Sequence, residues 1–279
     1  MSEGNGPPPL VGGEILAPGY EVVLHLRRGQ HLDVYDVWST DRGCRCVAKT
    51  LRPDRRSDRA ARARLLGEGR LLRRLSHPHI VRCYELIDGT DPRVILETLS
   101  GETLGHLIER RGRLSLGDVA WLGVHVCSAV AYLHANGWLH LDLKPSNIIR
   151  EGDRAKLLDL SIARRPGQGP PHAGTPDYMA PEQVTGGTLT EATDSWGIGS
   201  VLYEALTGHP PYGEDVPDDR YPQLEGRPQS IRAHRRLPSH LASLVDACLD
   251  PEPAMRPSID DISSSLQRAA RIDPRQPAS

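Results

Sequence analysis

The apolar pattern of this chain changes its period at about Thr103, and that change limits the architectures the chain can adopt. Before Thr103, short apolar alternations separated by turn residues predict antiparallel strands, with one helical stretch from Arg59 to Leu75. After it, helical patterns dominate, apart from a hairpin predicted at residues 148–158. Strands followed by helices, without internal repeats, predict an α+β architecture of two lobes with a cleft between them.

The predicted elements have recognisable starts and stops. Strands are expected at 22–24, 34–37, 46–48, 81–87 and 93–97. Gly112 ends a short helix at 103–111, and Ser115 with Asp118 resembles a capping box at the start of a long helix that runs to His134. A Pro/Gly-rich loop occupies 166–176. Further helices are expected at 192–207, at 239–249 and from Ser258 onward.

One folded domain is predicted at residues 20–270, with a small lobe at about 20–97 and a large lobe at about 101–270. Residues 1–19 are expected to be a flexible segment and 271–279 a C-terminal tail. Residues 1–13 lack the apolar core of a signal peptide. The longest apolar stretch, Val119 to Leu133, is too short to span a bilayer.

The charge and cysteine content restrict the classes of partner. The net charge is −2 with no block of like charge, which favours neither nucleic acid nor a membrane surface as a partner. The five cysteines are an odd number, and Cys44 and Cys46 form only an isolated C-x-C, a weak signal for a metal. We therefore expect reduced thiols and a cytoplasmic protein. The oligomeric state is not predicted.

Lysine and asparagine are scarce in this chain. Of 34 basic residues only three are lysines, and usage rich in Arg, Ala, Gly and Pro is typical of a bacterial genome of high GC content. In such a chain most basic residues are expected to be arginine, so each Lys or Asn that is present is a candidate for a specific chemical role. Chance is the alternative for any single lysine.

A short loop after the long helix combines three side chains suited to phosphoryl transfer. Asp142 can orient a hydroxyl and take its proton, Lys144 can neutralise the moving phosphoryl oxygens, and Asn147 can supply an oxygen to Mg²⁺. The alternative is a capped loop of polar residues. Asp159, at the end of the next hairpin, is positioned to reach the same metal ion.

Lys49 ends the third predicted strand, and Glu68 is the only glutamate between it and Glu85. A lysine that holds two phosphate oxygens needs a carboxylate behind it, so the two are a candidate pair. For isolated residues, a surface lysine and an unrelated helical glutamate would be the usual interpretation.

The string from Gly174 to Glu182, GTPDYMAPE, is explained by neither helix nor strand patterns. With the loop at His140–Asn147, the Lys49/Glu68 pair and Asp159, it resembles the protein kinase superfamily over roughly Tyr20 to Ala270, and more narrowly the eukaryotic-like serine/threonine kinases of bacteria.

The resemblance implies a two-lobed protein kinase fold, with a small antiparallel-sheet lobe carrying one helix and a large, mainly helical lobe. It implies transfer of the ATP γ-phosphoryl group to Ser or Thr of a protein, with ATP and Mg²⁺. The implied catalytic residues are Asp142 as base, Lys144, Lys49, Glu68 and Thr175. The implied metal ligands are Asn147 and Asp159. The implied nucleotide-binding residues are Leu26, Gly29, Val34, Val47, Lys49, Leu96, Glu97, Leu99 and Ile149. Glu182 is expected to pair with Arg256.

Several positions depart from the family pattern. The phosphate-binding loop, expected as G-x-G-x-x-G, keeps only Gly29, with Arg27 and Leu32 at the outer glycine positions. Leu141 stands where an arginine is usual before the catalytic Asp, and Leu160 and Ser161 replace the Phe and Gly after Asp159. These departures predict weak ATP binding and restricted flipping of the segment after Asp159. The two glycines that flank Glu68, at 67 and 69, predict a mobile helix.

Three functions remain open on the sequence alone. An active serine/threonine kinase agrees with the complete set of polar catalytic residues. A pseudokinase that acts as a binding or scaffold module agrees with the degraded glycine loop. A small-molecule phosphotransferase of the antibiotic-kinase type would share the loop around Asp142 but lack the string from Gly174 to Glu182.

Overall fold

A computed structural model of the chain describes residues 6–213, 217 and 220–272, and it divides into two compact units with a boundary between Ser100 and Gly101. We call the first unit the small lobe and the second the large lobe. The small lobe is a sheet with one α-helix, and the large lobe is mainly helical, as the change of pattern near Thr103 predicts.

The small lobe is built on an antiparallel sheet with the strand order β1-β2-β3-β4-β6-β5. The strands are β1 (Ile15–Ala17), β2 (Tyr20–Arg28), β3 (Leu32–Ser39), β4 (Cys44–Leu51), β5 (Cys83–Ile87) and β6 (Arg93–Glu97). Alternate residues of these strands bury a core on one face: Leu16, Ala17, Tyr20, Val22, Tyr35, Val37, Cys46, Ala48 and Ile95. This packing is the physical basis of the apolar alternation.

Helix α1 (Arg59–Leu72) begins where Asp58 accepts hydrogen bonds from the amides of Ala60 and Ala61, each at 3.0 Å. It ends three residues before the predicted Leu75. The final bonds tighten to the i→i−3 type, with the Leu75 amide 3.3 Å from the Leu72 carbonyl. Leu75 is still buried, which explains why the apolar stripe continued past the helix.

The segment before β2 lies against the sheet. The amide of Leu10 donates to the Tyr35 hydroxyl at 3.1 Å, and the amide of Val22 donates to the Glu14 carbonyl at 2.8 Å. Strand β1 adds to the edge of β2. Of the segment predicted to be flexible, residues 6–19 are therefore packed on the small lobe, while residues 1–5 lie outside the described residues. Its mobility stays a prediction.

The described part of the large lobe combines six α-helices with short strands. Its helices are α2 (Leu104–Arg111), α3 (Leu116–Ala135), α4 (Pro181–Thr185), α5 (Glu191–Thr207), α6 (Ser239–Cys248) and α7 (Ile259–Ile272), and one-turn 3₁₀ segments supply the remaining helical turns. Its strands are β7 (Glu102–Thr103), β8 (Ile148–Glu151), β9 (Arg154–Leu157), β10 (Gly167–Gln168) and β11 (Thr188–Leu189). The predicted hairpin is confirmed as β8 and β9.

The predicted helix starts in this lobe are confirmed by their caps. The His106 amide donates to Thr103 Oγ1 at 3.2 Å, and the Asp118 amide donates to Ser115 Oγ at 3.1 Å. The paired strands β10 and β11 were not predicted, because strands of two residues leave no alternation in the sequence.

Helix α3 is the central helix of the large lobe. At Gly123 an added Cβ would lie 2.6 Å from Leu266 Cδ1 and 3.0 Å from Leu202 Cδ2, so glycine permits close approach of α7 and α5. By length and composition α3 is apolar enough to cross a membrane, and 56% of its most apolar window is buried within the protein. The helix is longer than the apolar stretch read from the sequence. Its burial is typical of a core helix.

The predicted ion pair between Glu182 and Arg256 is confirmed. Arg256 Nη1 donates to Glu182 Oε1 at 2.7 Å, and Arg256 Nη2 donates to Glu182 Oε2 at 2.9 Å. The Arg256 side chain is 0% exposed and the Glu182 side chain is 9% exposed. Arg256 also donates Nε to the Asp250 carbonyl at 2.7 Å. Since every guanidinium nitrogen has an acceptor, this buried charge is fully hydrogen-bonded.

Breaking this pair should destabilise the large lobe strongly. Glu182→Gln or Arg256→Met leaves one charge buried without its counterion, and the free energy of unfolding should fall by about 3–5 kcal/mol. Urea denaturation followed by circular dichroism measures the change. The matched control is Glu225→Gln, which breaks the exposed pair with Arg220 and should leave the unfolding midpoint unchanged. Equal losses in both variants would contradict the assignment.

Candidate active site

In the small lobe, Lys49 on β4 and Glu68 on α1 form an ion pair. The distance from Lys49 Nζ to Glu68 Oε1 is 2.7 Å, and the side chains are 12% and 0% exposed, respectively. The lysine stem is therefore held from behind by a buried carboxylate, as the sequence predicted.

Gly69 explains how α1 comes close enough to make this pair. A Cβ at Gly69 would lie 2.7 Å from Leu86 Cδ1 and 2.9 Å from Val94 Cγ2, so any larger residue would push the helix away from β5 and β6. At Gly67 nothing lies within 4 Å of an added Cβ. One of the two glycines is thus a packing requirement. The predicted mobility of the helix stays untested.

Val34, Val47 and Lys49 share one face of the sheet. The strand register pairs Val34 with Lys49 and Val47 with Leu96, and directly paired residues point to the same face. Leu96 is buried, whereas Val34 and Val47 are half-buried and remain accessible. The predicted apolar contacts for a purine in the small lobe are therefore presented together with the lysine.

The remaining predicted nucleotide residues have different surroundings. Leu26 on β2 is 48% exposed. The Glu97 carboxylate accepts a hydrogen bond from the Arg82 amide at 2.8 Å, and this contact holds the end of β6. Leu99, two residues further on, is half-buried. Ile149 lies on β8 of the large lobe, half-buried and paired with Thr103.

In the large lobe, Asp142, Lys144 and Thr175 form a closed hydrogen-bonded cluster. Thr175 Oγ1 donates to Asp142 Oδ1 at 2.7 Å, Lys144 Nζ donates to Thr175 Oγ1 at 2.5 Å, and Lys144 Nζ lies 2.8 Å from Asp142 Oδ2. The ammonium group lies beside the carboxylate, and the three contacts together give the Asp142 side chain a fixed orientation.

Asn147 connects this cluster to the hairpin. Its Nδ2 donates to the Asp142 carbonyl and to Asp142 Oδ2, both at 2.9 Å, and its own carbonyl accepts the amide of Leu158 at 3.0 Å. Asp159 follows directly, with Oδ1 accepting the Ser161 amide at 2.9 Å, and Leu160 is buried. The loop and the end of the hairpin are thus brought together.

The donor set fits a hard divalent cation bound together with phosphate. Both hydrogen bonds of the Asn147 amide use its nitrogen, which leaves Oδ1 as the oxygen available to a metal ion. Within residues 6–213, 217 and 220–272 no group of three His, Cys, Asp or Glu side chains forms a metal cage. A cation held by Asn147 and Asp159 would therefore complete its coordination with phosphate oxygens and water.

The loop at His140–Asn147 is held by Asp194, in the first turn of α5. Its Oδ1 accepts the Leu141 amide and its Oδ2 accepts the His140 amide, both at 2.8 Å. Leu141 has φ of +67°, a conformation that is strained for a non-glycine residue. Its carbonyl also accepts Gln183 Nε2 at 2.8 Å. Bonds at both ends of Leu141 therefore hold the strained turn that presents Asp142.

Two histidines support this arrangement. His134, near the end of α3, lies with Nε2 2.8 Å from Asp194 Oδ2. Burial lowers the pKa of His140, which is therefore neutral near pH 7, and its Nδ1 accepts the Asp142 amide at 3.3 Å. The Asp142 amide is thus bound by a neutral ring, while the charge of the Asp142 carboxylate is met by the ammonium group of Lys144.

Leu141 occupies an apolar cluster with Leu139, Leu189 and Ile162. It is 5% exposed. The position where the family pattern has an arginine is therefore filled by packing against β11 and the segment after Asp159, with no cationic group in that cluster.

The roles of Asp194 and Gln183 are not evident from the sequence. Asp194 is a carboxylate in the first turn of an apolar helix, and such a buried group needs hydrogen-bond donors, but the sequence does not indicate which donors meet it. Gln183 left no signal, because its contacts to Leu141 and Ala173 join segments distant in the chain.

Comparison with known proteins identifies a family for this chain. The sequence pattern of the family described as "Protein kinase domain" matches residues 20–266. The serine/threonine-protein kinase PkaA of Streptomyces coelicolor is 34% identical over 236 residues, which is 80% of this chain and 42% of that protein. The serine/threonine-protein kinase PknK of Mycobacterium tuberculosis is 30% identical over 276 residues, covering 94% of this chain and 25% of that protein.

The crystal structure of the Mycobacterium tuberculosis PknI kinase domain matches with a TM-score of 0.75 and 24% identity, covering 94% of this chain and 100% of that one, which supports the fold. The chain spans less than half the length of PkaA and PknK, at 42% and 25%. The family pattern covers most of the sequence and the fold agrees with it, so this chain belongs to the protein kinase domain family.

Proposed function

We propose that this chain is a serine/threonine protein kinase that transfers the γ-phosphoryl group of ATP to Ser or Thr hydroxyls of a protein. The observation that supports this most directly is the cluster of Asp142, Lys144 and Thr175, joined by contacts of 2.5–2.8 Å. The curated relatives PkaA and PknK are both named serine/threonine-protein kinases.

Asp142 is suited to orient the acceptor hydroxyl. Its carboxylate is fixed by Asn147, Lys144 and Thr175, so a substrate Ser or Thr hydroxyl can replace one of these donors without reorganising the loop. The carboxylate then takes the hydroxyl proton as the acceptor oxygen bonds to the γ-phosphorus. The bond from that phosphorus to the β–γ bridging oxygen breaks, and ADP is the leaving group. Lys144 stabilises the negative charge that develops on the transferring phosphoryl oxygens.

Membership of the family implies ATP and a divalent cation, and we propose Mg²⁺ as the cation. Asn147 Oδ1 and the Asp159 carboxylate are the ligands, and the cation neutralises the phosphate charge when it is bound. Lys49, held by Glu68, is suited to bind phosphate oxygens of the nucleotide.

Adenine binding is proposed for the apolar residues that the sequence identified. Leu26, Val34, Val47, Leu96 and Ile149 supply apolar contacts. The chain at Glu97–Leu99 supplies backbone hydrogen bonds. Val47 is larger than the alanine usual at this position, which narrows the space for the purine.

The partner is a protein substrate, and we place the kinase in the cytoplasm. The free thiols of all five cysteines, four of them buried, suit a reducing compartment. The buried state of α3 favours a role in the core over a membrane span.

Removing either half of the catalytic apparatus should abolish transfer. Asp142→Asn and Lys49→Met should each lower the rate by about 100-fold or more, because one removes the base and the other a phosphate ligand. Incorporation of label from γ-labelled ATP with Mg²⁺ into the chain itself or a generic basic protein measures this. Matched controls are Asp153→Asn and Arg154→Met in the exposed turn of the β8–β9 hairpin. If the unmodified protein gives no label above Asp142→Asn on several substrates, the chain is a pseudokinase.

The acceptor should be Ser or Thr and not Tyr. Thr175→Val removes both hydrogen bonds of the side chain and should lower the rate at least about tenfold, whereas Thr175→Ser keeps them and should retain most activity. Phosphoamino-acid analysis of the labelled product should give phosphoserine and phosphothreonine. A product that is mainly phosphotyrosine would contradict the proposal.

Activity should not require phosphorylation of the segment between Asp159 and Glu182. Its only hydroxyls are on Ser161, Thr175 and Tyr178, and Thr175 and Tyr178 already donate to Asp142 and Glu204. Leu141 offers no charge to a phosphate. Initial rates should be equal after treatment with active or heat-inactivated phosphatase, followed by its removal. A large loss that returns with phosphate on one of these three residues would refute the expectation.

A further inference from the structure

The phosphate-binding turn is short and closed. It joins β2, which ends at Arg28, to β3, which starts at Leu32, and the Gly29 amide donates to the Leu32 carbonyl at 2.8 Å. Gly29 does not have a positive φ, and an added Cβ would meet only the Leu32 carbonyl at 3.5 Å. The flexibility of a loop with three glycines is therefore absent, and other contacts determine the shape of the turn.

Arg52, at the end of β4, anchors the carbonyls of the turn from behind. Its amide donates to the His31 carbonyl at 2.9 Å, and its Nη1 donates to the Gly29 carbonyl at 3.2 Å. Asp54 fixes this guanidinium by accepting Nε at 3.0 Å and Nη2 at 2.9 Å. Arg52 is only 8% exposed, so the anchor is part of the folded lobe and not a loose surface contact.

A second arginine holds the two strands that lead into the turn. Arg28 donates Nε to Asp33 Oδ1 at 2.8 Å and Nη2 to Asp33 Oδ2 at 2.9 Å, and Asp33 is fully buried. Burial by itself would raise the pKa of Asp33, but the hydrogen bonds from Arg28 and His25 hold that pKa below its usual value. Arg28 Nη1 also donates to the Pro7 carbonyl at 2.9 Å, which ties the N-terminal segment to the same point.

These contacts leave adjacent donors at the tip. The carbonyls of Gly29, His31 and Leu32 each have a donor, whereas the amides of Gln30 and His31 have no hydrogen-bond acceptor anywhere in the described chain, 6–213, 217 and 220–272. Successive backbone N–H groups without acceptors form a site for an anionic oxygen. A turn that is already ordered loses less conformational entropy when it binds than a glycine-rich loop does.

We infer that Arg52 with Asp54, and Arg28 with Asp33, are positioning residues that hold this turn with its amides directed at a nucleotide phosphate, in place of the two missing glycines. Neither arginine needs to touch the nucleotide, since both side chains are bound to carboxylates. The inference rests on the proposed function, because it assumes that ATP is the ligand of the small lobe.

The test separates the phosphate part of the nucleotide from the adenosine part. Calorimetry measures the dissociation constants of ATP with Mg²⁺ and of adenosine for the unmodified chain, Arg52→Gln, Arg28→Gln and the control Arg56→Gln. Arg56 lies beside Arg52 and pairs with Asp91 at 2.9 Å, away from the turn. Arg52→Gln and Arg28→Gln should each weaken ATP binding about tenfold, equivalent to about 1.4 kcal/mol, and leave adenosine binding within about twofold. Arg56→Gln should change neither constant.

Other outcomes would overturn the inference. Unchanged ATP binding in both variants would show that the anchors do not position the amides. An equal loss for ATP and adenosine would show a general structural role. Thermal denaturation of each variant checks folding, and Arg52→Lys and the more exposed Arg28→Gln carry the test if Arg52→Gln does not fold. If the unmodified chain binds ATP and adenosine equally, the inference fails but the proposed function does not. If the unmodified chain does not bind ATP, the proposed function fails as well. Both results are obtained before any variant is made.

Discussion

The large lobe depends on one buried carboxylate, that of Asp194. It accepts the amides of His140 and Leu141, each at 2.8 Å, and lies 2.8 Å from His134 Nε2. Hydrogen bonds to a buried ion are among the stronger ones in proteins, and here they are directed at the backbone just before Asp142. Without them the positive φ of Leu141 would relax, and the carboxylate of Asp142 would lose the orientation that Lys144, Thr175 and Asn147 share.

The segment after Asp159 is held by packing and backbone bonds instead of by an added charge. Leu141 joins an apolar cluster with Leu189 and Ile162, and β10 pairs with β11. Arg165 lies over the Trp138 ring at 4.6 Å and donates to the Asn136 carbonyl at 2.7 Å. These contacts provide order that an arginine–phosphate pair provides in other kinases, which is a physical reason for the leucine at position 141.

In the small lobe, ion pairs with carboxylates fix the positions of three long cationic side chains. Lys49 is held by Glu68, Arg28 by Asp33 and Arg52 by Asp54, each at 2.7–2.9 Å. A long cationic side chain that is fixed by a carboxylate keeps its position when a ligand arrives, and so does the backbone attached to it. The departures from the glycine-rich pattern are accompanied by contacts that restrict the same turn.

Several local features were predicted from the amino-acid sequence: the order of strands and helices, the cap at Ser115, and the grouping of Asp142, Lys144 and Asn147 within one short loop. These depend on residues close together in the chain, where period and spacing are enough. Lys49 and Glu68 were paired because a phosphate-binding lysine needs a carboxylate and because the chain resembles a known family, since a separation of 19 positions in the chain carries no geometric signal.

Tertiary structure decided the contacts between distant segments. Asp194 reaches back 53 residues to Leu141, and Gln183 reaches back 42 residues to its carbonyl. Arg28 with Asp33, and Arg52 with the Gly29 carbonyl, depend on strand register and on the turn between β2 and β3. The sequence shows only that Gly69 lowers the helix propensity of α1. The close packing of α1 against Leu86 and Val94 shows that glycine is needed at this position. The sequence shows which polar side chains are present. Their buried hydrogen-bond and ion-pair partners are determined only by the packing of the folded chain.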